Sequence, residues 1–396
     1  MSWWLWGALF LLTMGFAKAA SVVLNRLLVR PQSKLAIGLT ELTQFSLIPL
    51  YTFCLFRDFT RIDSQQQSTV PFWELMTPFG MILASLGVIG FLLLIYSTIA
   101  YQSYCPPRCQ ISDESQIIDF RQKDPDNSWQ TSLVGPRPMR RVALLPGNEQ
   151  FMVEVSTKTY TLPRLPKEWD GLSIVQLADT HFRGAVTRKY FEQVCEQAQA
   201  LKPDLFIFTG DLLDDQSLLD WLPETFGRLK APLGQYFILG NHDWHLDPAA
   251  IREEFERNGW IDLAERSIPI ASPDAGSAIF LAGDESPWMG THPTLPPESN
   301  PLFRILVSHT PDNITWAREQ GIDLMFAGHT HGGQIRLPII GPVYSPSRFG
   351  CRFASGVFWL EPTLMYVSRG LSGREPIRYQ CVPELIKLVL RTQDTV

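Results

Sequence analysis

Residues 205–211, LFIFTGD, and residues 236–243, YFILGNHD, contain the strand pattern from which the fold of this 396-residue chain can be predicted. Each begins with four apolar or aromatic residues and ends in glycine followed by carboxylate, amide or imidazole side chains. Short apolar runs between polar boundaries are typical of buried β-strands. The two stretches therefore predict strands that end directly in chemically active side chains.

The same pattern recurs in three further stretches, which are 172–181 (LSIVQLADTH), 303–309 (FRILVSH) and 323–331 (DLMFAGHTH). The strands predicted within these five stretches are 172–177, 205–208, 236–239, 303–307 and 324–326. Other strand candidates are 142–145, 151–155, 278–281, 365–367 and 385–390. Helical spacing of apolar residues is found in 187–201, 218–229, 248–258 and 312–320. Because strands and helices alternate, we predict an α/β fold of layered sheets.

The first hundred residues contain three apolar stretches whose length suits a lipid bilayer. Residues 75–100 are the clearest, because they form a run of 26 residues without a charge. Residues 35–56 are also long enough, although Glu41, Gln44 and Pro49 interrupt them. The opening run, MSWWLWGALFLLTMGFAKAA, lacks the basic region of a signal peptide. We therefore predict about three transmembrane helices, the first of them uncleaved.

The charges in the short loops indicate which side of the membrane the region after residue 100 occupies. With three helices, the first loop and that region lie on the same side. The basic residues are Lys18, Arg26, Arg30 and Lys34 in the first loop and Arg57 and Arg61 in the second. Because the more basic loop stays in the cytoplasm, we predict that the region after residue 100 is cytoplasmic.

The composition changes after residue 100. Residues 101–141 are polar and contain prolines with little periodicity, which is typical of a linker. We predict a membrane anchor at 1–100, this linker at 101–141 and a catalytic domain at 142–396. The net charge of −6 provides no basic surface for nucleic acid. Six scattered cysteines do not form the framework of a small secreted domain, so we expect mostly free thiols, with a local disulfide or a metal site at Cys105 and Cys109 as the alternative.

The five stretches with this pattern end in side chains that bind divalent metals. These are Asp179, His181, Asp211, Asn241, His242, His309, His329 and His331, and they include five of the seven histidines. In open α/β sheets such groups gather beyond the carboxyl ends of the strands. Two cations about 3.5–4 Å apart need a bridging anion with imidazole and amide ligands on either side. Asp211 suits the bridging position, and the mixed ligands suit Mn, Fe or Zn.

In this order, the motifs DTH, GDLLD, GNHD, a lone His and GHTH resemble those of the calcineurin-like metallophosphoesterase superfamily, over roughly residues 170–335. The resemblance implies a four-layer α/β/β/α sandwich after the N-terminal helices. It also implies two sets of metal ligands that share Asp211. One set adds Asp179, His181 and His331, and the other adds Asn241, His309 and His329.

The predicted chemistry is attack on phosphorus by a water or hydroxide held between the two metals, which lower its pKa. His242 would stand outside the ligand set and protonate the departing oxygen, with Asp243 orienting its ring. We therefore predict His242 as the general acid. Asp214, the last residue of GDLLD, is interpreted as a helix cap or a group outside the ligand set.

The phrases GHTHGGQIRLP and YVSRGL resemble a bacterial membrane-associated branch of the superfamily. That branch includes phosphodiesterases acting on lipid-linked or UDP-sugar-lipid pyrophosphates, and the resemblance implies an integral protein of the bacterial inner membrane. Arg336, Arg369 and Arg374 are candidates for binding a second phosphate, and a surface or salt-bridged role is the alternative. The leading hypothesis is hydrolysis of a phosphodiester or pyrophosphate bond in an amphiphilic substrate.

Two alternative functions stay open. The first is a phosphomonoesterase acting on soluble nucleotides or phosphoproteins, since an anchor by itself only localises an enzyme. The second is a membrane sensor or scaffold that binds metal without turnover. The intact His242 and Asp243 argue against the second alternative.

Overall fold

The structure is a computed structural model that describes residues 1–28, 31, 33–64, 71–123, 128–136, 139–271, 278–296 and 302–393. Arg30 and the side chains of Lys34, Glu41 and Gln44, which entered the predictions above, lie outside the described residues. The chain divides into two compact units. Residues 1–104 and 337–352 form the first unit, and residues 105–336 and 353–396 form the second.

The first unit is built on long helices. Its helices are α1 (Trp3–Leu28), α2 (Lys34–Ser64), α3 (Phe72–Leu75) and α4 (Pro78–Gln102). Among the described residues, α1 and α4 are long and apolar enough to cross a membrane. The helix predicted at 35–56 is present as α2, which contains Pro49.

Helices α1 and α4 are in close contact through glycines. A Cβ atom at Gly90 would lie 1.8 Å from the carbonyl oxygen of Gly15. Small residues let helix backbones approach in this way, which is common between helices in membranes. Leu12 lies against Gly87 and Ala19 against Gly90, so the residue numbers rise together along the two helices. The two candidate membrane spans therefore run parallel.

Helix α2 runs in the opposite direction. The ring of Trp6 lies 5.5 Å from that of Phe56, and the ring of Phe16 stacks at 4.0 Å on that of Tyr51. Residue numbers thus rise along α1 as they fall along α2. Because α1 and α4 run parallel, their C-terminal ends lie at the same end of the bundle.

Four of the basic residues that we assigned to the short loops lie within helices. Lys18 and Arg26 belong to α1, and Arg57 and Arg61 belong to α2. Lys18 is buried. Only the charges close to the helix ends therefore bear on the orientation in the membrane.

The second unit contains short helices and two large sheets. Its helices are α5 (Trp129–Ser132), α6 (Arg140–Ala143), α7 (Arg188–Ala200), α8 (Pro248–Arg257) and α9 (Ile314–Glu319). The first strands of the chain are β1 (Gln110–Asp119), β2 (Met152–Leu162), β3 (Ser173–Leu177), β4 (Leu205–Phe208), β5 (Gln235–Phe237), β6 (Ile261–Asp262), β7 (Ser267–Ala271) and β8 (Ala278–Asp284). They are followed by β9 (Arg304–Ser308), β10 (Leu324–Ala327), β11 (Arg336–Leu337), β12 (Gly341–Pro342), β13 (Gly356–Leu360), β14 (Thr363–Val367) and β15 (Glu384–Thr392).

The strands form one seven-stranded sheet, one six-stranded sheet and a two-stranded pair. The seven-stranded order is β1-β2-β15-β3-β4-β5-β6, and the six-stranded order is β13-β14-β10-β9-β8-β7, while β11 pairs with β12. Strands β3 to β6 are parallel neighbours. Strands β8, β9, β10 and β14 are also parallel. Two sets of parallel strands thus present their carboxyl ends.

The alternation of side chains along the strands builds the layers. Leu205 and Ile207 of β4 share a buried cluster with Ile305 and Val307 of β9, so the two large sheets pack face to face. Phe208, on the opposite face of β4, belongs to a second buried cluster with side chains of α7 and α8. Helix α9 contacts β14 of the other sheet. The predicted α/β/β/α sandwich is confirmed.

One strand lies where we predicted a linker. Residues 110–119, QISDESQIID, form β1, which pairs antiparallel with β2 at the edge of the larger sheet. Most of its side chains are exposed. A strand that faces water in this way can be polar, because only one face of an antiparallel sheet has to pack on the core. A segment of this composition has no hydropathy signal for a strand.

Other predictions differ in type rather than in position. Residues 142–145 do not form a strand and overlap helix α6, and residues 218–229 contain 3₁₀ turns at Gln216–Trp221 and Phe226–Arg228. The other strand predictions are confirmed within a few residues, and so are the helices at 187–201, 248–258 and 312–320. All six cysteines are free, as predicted.

Candidate metal centre

The predicted ligands meet where parallel strands of both sheets end. Asp179 and His181 follow β3, Asp211 follows β4, Asn241 follows β5, His309 follows β9, and His329 and His331 follow β10. Ligand atoms of Asp179, His181, Asp211 and His331 lie within 4.8 Å of one another. Those of Asp211, His309 and His329 form a second group, also within 4.8 Å of one another. The two groups share Asp211, as the ligand prediction requires.

Asp211 lies between the two groups. Its Oδ2 atom is 3.5 Å from Nε2 of His181 and 3.4 Å from Nε2 of His309. Its Oδ1 atom accepts a hydrogen bond of 2.8 Å from the backbone N–H of His242. Oδ2 is buried and accepts no hydrogen bond from the residues that the structure describes. A buried carboxylate oxygen in this state is a natural ligand for a cation.

The tautomer of His309 directs a lone pair into the second group. Its Nδ1 lies 2.7 Å from the carbonyl oxygen of Thr209, and this nitrogen must donate because a carbonyl only accepts. In the neutral ring Nε2 is then an acceptor, and it lies 2.9 Å from Oδ1 of Asn241. Two acceptors at this separation require a cation between them or a second proton on the ring.

The first group has the same arrangement. Nδ1 of His331 donates to the carbonyl oxygen of Ser372 at 3.0 Å, which leaves a lone pair on Nε2. That Nε2 lies 3.2 Å from Nε2 of His181. Nδ1 of His181 is 3.4 Å from Oδ2 of Asp214, a position that favours a proton on Nδ1. Both groups therefore fit a divalent cation, and imidazole, amide and carboxylate ligands suit Mn, Fe or Zn.

Without metal, the cluster holds protons. Burial lowers the pKa of His309, but the carboxylates of Asp211 and Asp179 raise it to about 9. Burial raises the pKa of Asp179 to about 6. Burial acts in the same direction on Asp211, but His309 and His242 hold its pKa well below the usual range. Metal binding must therefore displace protons from the ligands.

The backbone at the ligands is strained. Five of the ligands have left-handed φ angles, namely Asp179 (52°), His181 (46°), Asp211 (59°), His329 (69°) and His331 (50°). Such conformations cost about 1–3 kcal/mol each and persist only where the surroundings enforce them. Gly240 shows how tight the surroundings are, because a Cβ there would lie 2.2 Å from Oδ1 of Asp211. The fold therefore stores strain at the ends of these strands to direct the ligands inward.

His242 lies beside the first group and is more exposed than His181 of that group. Its side chain is 27% exposed, whereas that of His181 is 0% exposed. Burial lowers the pKa of His242, but Asp211 and Asp214 raise it to about 9. In the metal-free protein these carboxylates therefore favour the protonated ring, which is the form that a general acid requires.

The carboxylate that contacts the ring of His242 is that of Asp214. Its Oδ1 is hydrogen-bonded to Nδ1 of His242. Asp243, to which we had given this contact, accepts hydrogen bonds of 2.9 Å from the backbone N–H groups of Gly240, Asp211 and Leu212. Asp243 thus holds together the two turns that carry Asp211 and His242. Asp214 also lies 3.4 Å from Nδ1 of His181, and its interpretation as a group outside the ligand set stays a prediction.

Two residues near the centre were not predicted. The ring of Trp288 lies 5.4 Å from that of His309 and 4.8 Å from that of His329. Arg378 is fully buried and donates to the carbonyl oxygens of Ser372 and His331. Because the Ser372 carbonyl accepts from the ring of His331, Arg378 fixes a ligand from behind. Neither residue lies in a motif that could have identified it.

The three arginines proposed for a second phosphate differ in their surroundings. Arg369 forms ion pairs with Glu154 at 2.8 Å and Glu384 at 3.3 Å, which is the salt-bridged alternative. Arg336 donates from Nε to the carbonyl oxygen of Gly332 at 2.8 Å. Arg374 is half-exposed and lies 3.5 Å from the carboxylate of Glu375.

Comparisons with known proteins agree with this geometry. A family model described as calcineurin-like phosphoesterase matches residues 172–333, which include all seven predicted ligands. The chain is 31% identical over 260 residues to the uncharacterized metallophosphoesterase YkuE of Bacillus subtilis (strain 168), covering 62% of this chain and 88% of that protein. It is 29% identical over 225 residues to phosphodiesterase YaeI of Escherichia coli (strain K12), covering 55% and 81%.

A further relative is named for a lipid substrate. The chain is 26% identical over 309 residues to UDP-2,3-diacylglucosamine pyrophosphatase LpxG of Chlamydia trachomatis serovar D, covering 60% of this chain and 89% of that protein.

Proposed function

Because the chain belongs to the calcineurin-like phosphoesterase family, we propose that it hydrolyses a phosphodiester or pyrophosphate bond at the paired Asp and His groups. The observation that carries this proposal is the position of Asp211, whose Oδ2 lies within 3.5 Å of one histidine from each group. Two divalent cations bound there would activate a water and neutralise charge on the phosphoryl oxygens.

The ligand residues have one task, which is to hold the two cations at a fixed separation. Asp179, His181 and His331 would complete one set, and Asn241, His309 and His329 would complete the other, with Asp211 in both. Hydrogen bonds to Ser372 and Thr209 fix the rings of His331 and His309 with Nε2 free for a cation. This preorganisation is the protein's main contribution to phosphoryl transfer.

His242 would act as the general acid. Its side chain is partly exposed, and the hydrogen-bonded carboxylate of Asp214 stabilises the protonated ring. Asp214 would be a positioning residue, because its bond to Nδ1 orients the ring and leaves Nε2 to carry the transferred proton. Asp243 supports both residues through the backbone that it binds.

The substrate is proposed to be amphiphilic. LpxG is named for a diacylated UDP-sugar, and YaeI is named a phosphodiesterase. Helices α1 and α4 would keep the catalytic unit near a bilayer, where lipid-linked phosphoesters are concentrated. Under this proposal residues 1–100 are the anchor and 142–396 the catalytic domain, with 101–141 adding β1 to its sheet.

The first test is hydrolysis of bis(p-nitrophenyl) phosphate and p-nitrophenyl phosphate by the full-length protein in detergent micelles. The protein is stripped of metal and reloaded with Mn²⁺. We expect activity only after reloading, with the diester hydrolysed faster than the monoester. Faster monoester hydrolysis would favour soluble nucleotides or phosphoproteins as substrates. Inactivity on both esters with two metals bound would favour a binding-only sensor.

The catalytic domain is proposed to lie in the cytoplasm, at the inner membrane of a bacterium. Parallel α1 and α4 bring the end of the first helix and the start of the catalytic unit to the same end of the bundle. Arg26 lies close to that end. In sealed right-side-out membrane vesicles, we expect added protease to leave the catalytic domain intact. Digestion from outside would contradict this orientation.

A further inference from the structure

Residues 337–352, LPIIGPVYSPSRFGCR, belong to the same compact unit as helices α1 and α4. The residues that precede and follow them in sequence belong to the other unit. We call residues 337–352 the interfacial segment. The segment begins six positions after the ligand His331, yet its structural unit is that of the candidate membrane spans.

Three contacts attach the interfacial segment to the helices. The side-chain amide of Gln102, the last residue of α4, donates to the carbonyl oxygen of Ile339 at 2.7 Å. Gly341 has φ of +77°, and a Cβ there would lie 2.5 Å from the ring of Tyr101. The hydroxyl of Ser21 in α1 donates to the carbonyl oxygen of Val343 at 3.3 Å. The segment therefore contacts both candidate spans near the same end.

The contact between Val343 and Ser21 lies before the C-terminal end of α1. Ser21 is seven positions before Leu28, where α1 ends, and seven residues rise by about 10 Å along a helix. The interfacial segment thus extends along the candidate spans, and its Ser345 and Ser347 are fully buried. Irregular backbone at membrane depth is tolerated only where protein covers it, and this segment meets that condition on the side of the helices.

Helix α1 has a polar face that requires contact with protein rather than lipid. Lys18, Ser21 and Asn25 are at positions i, i+3 and i+7, so they lie on one face, and all three are buried. Polar groups in a membrane helix face protein rather than lipid. Ser21 assigns the interfacial segment to this face.

The other side of the interfacial segment is apolar and exposed. Ile339 is 76% exposed and Leu337 is 40% exposed, and Pro338 between them is exposed as well. Tyr96 and Tyr101, near the C-terminal end of α4, are also exposed. Tyrosine rings are enriched at the interfaces between membrane and water. The segment contains Arg348 and Arg352 and no acidic residue, which suits anionic lipid headgroups.

We propose that the interfacial segment docks on the lipid bilayer, with Leu337, Pro338 and Ile339 inserted at the boundary between headgroups and acyl chains. The occupant is lipid because the exposed apolar residues continue the surface of two candidate membrane spans. If the protein hydrolyses a lipid-linked phosphoester, the docked segment contributes to acquiring that substrate from the bilayer. The second statement rests on the function proposed above, whereas the docking itself does not.

Photocrosslinking tests the docking directly. Full-length protein with p-benzoylphenylalanine at position 339 is reconstituted in vesicles of phosphatidylcholine and phosphatidylglycerol and irradiated. We expect lipid adducts at position 339. The matched control carries the same group at position 117, because Ile117 is 54% exposed on strand β1. Adducts to protein alone, or equal lipid adducts at both positions, would overturn the proposal.

A substitution tests the consequence for catalysis. Ile339→Asp places a charge where the lipid contact is proposed, and Ile117→Asp makes the same change on the control strand. The substrates are bis(p-nitrophenyl) phosphate and a dioctanoylglycerol p-nitrophenyl phosphodiester in the same vesicles. We expect Ile339→Asp to lower kcat/KM about tenfold for the lipid ester only, as loss of one buried isoleucine predicts. Ile117→Asp should change neither rate.

The outcomes separate the two proposals. An equal loss on both esters, or no loss on the lipid ester, would contradict a role of the segment in acquiring lipid substrates. Wild-type protein that crosslinks to lipid but hydrolyses neither ester with metal bound would contradict the proposed function and leave the docking intact.

Discussion

Asp211→Asn is expected to abolish metal-dependent phosphodiester hydrolysis and to reduce metal binding from two cations to one or none. Asp211 is the residue common to both ligand groups, and its buried Oδ2 lies within 3.5 Å of His181 and His309. An amide in this place removes one negative charge from between two dications. The loss should exceed the about 10–100-fold that follows loss of an outer hydrogen-bond partner of a ligand. Metal content by mass spectrometry and the rate on bis(p-nitrophenyl) phosphate measure the two effects.

The matched control is Asp204→Asn. Asp204 immediately precedes the same strand, β4, and binds the backbone N–H and hydroxyl of Ser173 instead of facing the metal centre. We expect this variant to keep two metals and most of its activity. Equal thermal unfolding of both variants without metal would exclude general misfolding as the cause. Asp211→Asn protein that retains two metals and wild-type activity would contradict the shared-ligand assignment.

The positions of the metal ligands could be predicted because they follow from two local properties. Apolar runs such as 205–208 identify buried strands, and parallel strands bring their carboxyl ends together. A residue such as Asp211, three positions beyond the end of β4 and directly after Gly210, must then lie at that edge. The sharing of Asp211 between two groups could be anticipated from chemistry, since a carboxylate can bridge two cations.

The partners of these ligands could not be predicted in the same way. Asp214 and Asp243 are both acidic and both close to His242, and only the path of the backbone decides which carboxylate reaches the ring. Arg378 acts on His331 through a carbonyl group that any residue at position 372 would supply. Such contacts depend on tertiary geometry and leave no mark in the composition.

Strand β1 and the interfacial segment could not be predicted from the pattern of apolar residues. Strand β1 is an exposed edge strand, so its pattern lacks the apolar face on which strand prediction depends. The interfacial segment has no helical or strand period, so patterning predicts no element for it. Its place with α1 and α4 follows from contacts across more than 200 residues of sequence.

His242→Gln is expected to lower kcat by about 10²–10⁴-fold while both metals stay bound, because a general acid contributes that much to proton transfer. The ring of His242 is outside both ligand groups that share Asp211, so its removal should leave the ligands in place. The loss should depend on the leaving group. An alkoxide must be protonated as it departs, whereas p-nitrophenolate is stable without a proton. We therefore expect a large loss on an alkyl phosphodiester and a much smaller loss on bis(p-nitrophenyl) phosphate.

Asp214→Asn and His245→Gln complete this experiment. Asp214 holds the ring of His242, so its variant should show the same dependence on the leaving group with a smaller loss. The two changes should not add in the double variant, because they act on one proton transfer. His245, whose ring lies 4.7 Å from that of Trp244, is the matched control and should keep its activity on both esters. Equal losses on alkyl and nitrophenyl esters would show that His242 binds the phosphoryl group rather than protonating the leaving oxygen.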